Sequence, residues 1–105
     1  MTDKSPQDPE DLQPARAIRR ALAAAGLKAR DVGLVAVWAT GAQAHERAAN
    51  AVARGLGRFA ADAVAVLDDP DPFARCAAAI ASGDAAVAVA LTIDPVAGNV
   101  ARAFG

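Results

Sequence analysis

Along this chain the hydrophobic period changes from helix-like to strand-like and back several times, and those changes mark out the elements. Residues 1–13 are polar, carry Pro6 and Pro9 and show no period, so they are expected to form a flexible lead-in. From Pro14 the pattern is helical. Ile18, Leu22 and Ala25 recur at helix spacing with Arg16, Arg19 and Arg20 between them, which predicts a helix over 14–25 closed by Gly26. Val32-Gly33-Leu34-Val35-Ala36-Val37-Trp38 is then apolar without a break, as expected of a strand covered on both faces in a parallel sheet. Ala44, Ala48, Val52 and Leu56 lie four apart and predict a helix over 43–56, ended by Gly57. A short strand is expected over 63–67. The Asp68-Asp69-Pro70-Asp71-Pro72 turn then caps a third helix over 72–81, stopped by Ser82-Gly83. The run 85–93, a turn over 94–99 and the run 100–104 predict a closing hairpin.

The order α-β-α-β-α-β-β predicts an α/β fold with a mixed, mainly parallel sheet, since strands alternating with helices imply right-handed crossovers. The final hairpin adds an antiparallel edge. Residues 14–105 are read as one domain, and no internal repeat is seen.

Composition limits what that domain can do. Hydrophobic residues are 54% of the 105, yet most are Ala and Val, with one Trp, three Phe and no Tyr. Small side chains bury little area each, at roughly 25 cal/mol per Å², so the elements must pack closely or gain burial from a partner. Eleven basic residues stand against twelve acidic ones, without a Lys/Arg block, and the footprint of a nucleic-acid binder is absent. Arg16, Arg19 and Arg20 are read as a solvated helix face rather than a phosphate or carrier-protein patch. A single cysteine, Cys76, excludes an internal disulfide and any multi-thiolate metal site. The sequence holds no apolar stretch of membrane-spanning length and begins on a polar, acidic segment, so a cytoplasmic protein without membrane contact is the expectation.

Ile18, Ala21-Leu22, Ala25-Gly26-Leu27, Asp31-Val32 and Val35 resemble the "I..AL..AGL..." helix and "..DV..V" strand of β-ketoacyl synthases, in the C-terminal half of their thiolase-superfamily fold. In that family the strand ends in a His-Gly-Thr-Gly-Thr motif with an acidic residue following; here Trp38-Ala39-Thr40-Gly41-Ala42 and Glu46 stand in its place. The closing hairpin, with Gly98-Asn99 in its turn, is similar to the last two strands of the same fold. The resemblance is good over residues 15–60, moderate over the last 20 and weak between. It implies a thiolase-like half: two such halves, each with a five-stranded mixed sheet, pack across a pseudo-twofold axis in the full enzymes. The half that carries the family's nucleophilic Cys is missing here.

The departures shape the expected function. The family's first active-site His corresponds to Trp38, which cannot act as a base, and its second falls near the Asp68–Pro72 turn, which has no His. The lone histidine, His45, precedes Glu46 on a helix, where adjacent side chains point about 100° apart. Cys76 sits among Ala77, Ala78 and Ala79 and is read as an inert buried thiol. Asp68, Asp69 and Asp71 are assigned to turn and cap duty rather than to a hard cation. No catalytic residue, metal site or cofactor is therefore expected. Trp38 is expected to plug the space of a lost active site; the other reading makes Trp38, Thr40, Gly41 and His45 the lining of a vestigial acyl pocket.

The resulting expectation is a non-catalytic, ketosynthase-like accessory protein of polyketide or fatty-acid biosynthesis. Its expected partners are a second copy, through the apolar face that an isolated half leaves uncovered, and a ketosynthase subunit or acyl carrier protein. The alternatives are a split half that completes an acyltransferase site with a partner chain, and a small-molecule binding module.

Overall fold

The computed structural model describes residues 13–105. The flexible segment expected over residues 1–13 lies outside the described residues, except that Gln13 already belongs to the first helix. The elements are α1 (Gln13–Ala25), β1 (Val32–Ala39), α2 (Ala44–Leu56), β2 (Val64–Val66), α3 (Pro72–Ser82), β3 (Val87–Asp94) and β4 (Gly98–Phe104). Short 3-10 turns at Ala29–Asp31 and Gly57–Asp62 lead into β1 and away from α2. The predicted order α-β-α-β-α-β-β is the observed one.

Four strands form one mixed sheet in the order β2-β1-β3-β4. β1 runs parallel to both neighbours, with Val35 beside Ala65 and Val89, and β4 closes the sheet antiparallel to β3. The chain moves from β1 outward to β2, then back across β1 to β3. Right-handed crossovers taken in opposite directions put their helices on opposite faces. The two cores follow this rule. Ile18 and Leu22 of α1 and Ala48, Ala51 and Val52 of α2 pack with Val35, Val37, Val89, Leu91 and Ile93 on one face. Cys76 of α3 packs with Ala36, Ala88 and Ala90 on the other.

Strand alternation sorts side chains by size. Val35, Val37, Val89, Leu91 and Ile93 point toward two helices, whereas Ala36, Ala88 and Ala90 point toward one. Alanines on the second face let α3 lie close to β1 and β3, the two strands it covers. Beneath the first face, Gly55 brings α2 against α1. A Cβ there would stand 2.9 Å from Ile18 Cδ1 and 3.1 Å from Ile18 Cβ.

Element ends follow local chemistry. Asp71 caps α3 by accepting a 3.1 Å hydrogen bond from the Ala74 amide, with Pro72 in the first turn. The hairpin is tighter than the turn expected over 94–99, because only residues 95–97 lie outside the strands. Asp94 Oδ1 accepts the amides of Val96 at 2.7 Å and Ala97 at 3.0 Å, and Gly98 (φ +93°) closes the loop. β3 starts two residues later than expected, since the amides of Asp84 and Ala85 both bond Ala79 O to finish α3. β2 is shorter than the strand expected over 63–67 and is an exposed edge.

Candidate functional site

In an open α/β sheet, ligands favour the crevice at the carboxyl ends of the strands where the strand order reverses. Here that point lies between β1 and β3, and it is where Trp38, Thr40 and Gly41 end β1. The crevice is stitched shut. The Thr40 amide bonds Ile93 O at 3.0 Å, and Gly41 (φ +98°) lies so near the hairpin that a Cβ would meet Pro95 Cγ at 3.2 Å. The Thr-Gly turn therefore serves to lock two loops together. Gln43, in the left-handed region at φ 58°, turns the chain into α2.

His45 meets Asp68, with Nδ1 3.7 Å from the carboxylate, and both side chains are exposed. The structure brings Thr40 and Gly41 to the hairpin and His45 to the β2 loop, so the four expected lining residues do not converge on one cavity. Trp38 does not plug the interior either, because it is 41% exposed. It pairs with Thr92, which pairs with Val100, so these three form a row across β1, β3 and β4. Strand alternation from Ala36 places the row on the α3 face, and Val100 is 55% exposed.

Cys76 is fully buried, and the loss of hydration pushes its pKa up to about 11. The Asp cluster is structural. Asp69 is buried, accepts the Asp71 amide at 2.8 Å and the Arg75 guanidinium, and its own amide bonds Val37 O at 3.1 Å. Burial raises the Asp69 pKa, but the Arg75 and Asp71 donors outweigh it and hold the carboxyl below its ordinary value. Arg16, Arg19 and Arg20 are all exposed, as a solvated face requires, and Arg19 donates to Arg54 O.

A well-formed groove lies elsewhere. A groove of about 750 Å³ runs between α3 and the β1–β2 edge, lined among others by Leu34, Val64, Asp71, Ala78 and Asp84. None of Trp38, Thr40, Gly41 and His45 lines it. On the far flank of α3, β4 presents Val100, Arg102 and Phe104, with the Arg102 guanidinium 5.5 Å above the Phe104 ring. α3 itself exposes Ala74, Ala77, Ala78 and Ala81. Its one charged residue, Arg75, is turned to Asp69. α1 and α2 carry polar outer faces, as a surface helix should, whereas α3 is apolar nearly all round.

The apolar character of α3 was within reach of the sequence. The alanines of α3 signal a helix without a solvated side, but Val64, Val100 and Arg102 join the face only through strand register. The chain matches no model of a known protein family and no curated protein. Among the described residues no helix is long and apolar enough to cross a membrane, and no group of three His, Cys, Asp or Glu side chains forms a metal cluster.

Proposed function

We propose that this protein is a non-catalytic, ketosynthase-like accessory protein that works by association with proteins of polyketide or fatty-acid biosynthesis. The observation that carries this reading is the α3 face: a helix apolar on both sides, on a sheet whose Trp38, Val64 and Val100 stay exposed around it. Helices of this kind are buried in the working state, and contiguous exposed apolar surface marks an interaction site. The ketosynthase-like part rests on the Ile18–Val35 resemblance alone; the sheet has four strands where that family's half has five. The buried Cys76, the solvent-facing His45 and the locked Thr40-Gly41 turn support a scaffold role over chemistry.

Calorimetric titration of the chain with a purified β-ketoacyl synthase and with an acyl carrier protein tests this reading. A complex with one of them, weakened at least about tenfold by Ala77→Glu on the α3 face, is the expected result. Absence of any complex with both proteins overturns the reading, as does thioester condensation by the chain alone that is lost on His45→Ala.

A further inference from the structure

The two flanks of α3 are complementary to each other. On the β2 flank lies a groove whose lining has three carboxylates, Asp69, Asp71 and Asp84, and one guanidinium, Arg75, giving three negative charges against one positive, a net of −2. On the β4 flank stands a strip of Val100, Arg102 and Phe104, in which Arg102 is the single charge of the whole strand Gly98–Phe104. The Asp69 charge is already met by Arg75, so Asp71 and Asp84 are left to attract a cation from outside.

We infer that the α3 face is closed by a second copy of this chain, related by a twofold axis running along α3, with the β4 strip of each copy lying in the groove of the other. Such an axis exchanges the flanks, so each groove receives the partner's Arg102, Val100 and Phe104, and the interface is isologous. A twofold axis across α3 would instead set groove on groove and acid on acid, which costs energy. Complementarity of charge and shape thus selects one axis. Strands of eight, eight and seven residues about 4.8 Å apart, with three-residue β2 at the edge, outline a face on the order of 400 Å², about half of the roughly 800 Å² per partner that stable complexes bury, before the relief of α3 is counted. Exposed alanines on α3 allow the two helices to approach closely.

This inference rests on the association reading above: the second copy covers the α3 face when the chain is alone, and a synthase or carrier protein binding there displaces it. It is tested by sedimentation of the full chain over a concentration series, alone and with charge exchange. A wild-type dimer is expected. Arg102→Glu and Asp84→Arg are each expected to weaken it about tenfold or more, and the double variant to recover most of the loss. Circular dichroism melting of each variant verifies that it folds. A second measurement is independent of the charges: with Cys76→Ala as background, Ala81→Cys is expected to form an interchain disulfide with its own mate on oxidation. An axis across α3 would bring residue 81 opposite residue 74 instead, and cross-linking only in an equimolar mixture of Ala81→Cys and Ala74→Cys overturns the assigned axis. Single charge variants that sediment as wild type overturn the register. A wild-type monomer at high micromolar concentration overturns the inference outright, while a synthase or carrier complex sensitive to Ala77→Glu would still leave the association reading standing.

Discussion

Asp69 joins three parts of the molecule through one buried carboxylate: the Arg75 side chain of α3, the Asp71 amide at the helix cap and, through its own amide, Val37 of β1. Asp69→Ala removes a charged acceptor from two donors and is expected to cost about 2 kcal/mol in denaturant unfolding. The pH dependence follows from the same contacts. The folded pKa lies below the unfolded value of about 3.9, so the stabilisation is present above that pH and is lost as pH falls through the folded pKa. The difference in melting temperature between the wild type and Asp69→Asn should therefore shrink as pH drops from about 6 toward about 3. Cys76 gives a complementary signal. Its buried thiol, with a pKa raised to about 11, should resist a disulfide reagent at neutral pH and react fully once the chain is unfolded. Gly55 reports on packing. Gly55→Ala gains about 1 kcal/mol of helix propensity but forces Ile18 aside, an overpacking cost of about 1–3 kcal/mol, so a net loss in melting stability is expected.

At the scale of elements, the helices were legible because each has both a period and a punctuation mark. The Asp71-Pro72 start of α3 is one such signal, and Asp71→Ala should cost about 1 kcal/mol with the rest of the helix unaltered. The strands were legible as unbroken apolar runs, which gives their place but not their facing. Which side each residue takes lay in a subtler code. The Val-Ala-Val of β1 and the Val-Ala-Val-Ala-Leu of β3 alternate large with small, and the small members mark the side of α3. β2 was placed correctly within 63–67 but overextended by one residue at each end, because at an exposed edge only the residues paired with Leu34, Val35 and Ala36 hold strand geometry.

For the whole molecule, the sheet order decides what the sequence alone could not. Trp38 belongs to an apolar run that suggested burial, yet it sits at the strand end on the thinly covered face and is half in water. Thr40, Gly41 and His45 are close in sequence, but Thr40 and Gly41 are held by Ile93 and Pro95 of the hairpin while His45 is turned to Asp68. Conversely, Val64, Asp84 and Arg102 are far apart in sequence and come together on one face only through the crossover from β2 to β3. The β1–β3 ladder at the centre of that sheet has a further consequence. Val32 pairs with Val87 and Ala39 with Ile93, so the middle of the sheet joins residues 32–39 to residues 87–93. During synthesis, α1, β1 and α2 emerge without the strand that completes them and must wait for β3, about fifty residues later, before the centre can zip. The final hairpin is thus the clasp of the fold, and a ribosome stalled just before Val87 would hold a chain with its largest apolar surfaces still open to chaperones.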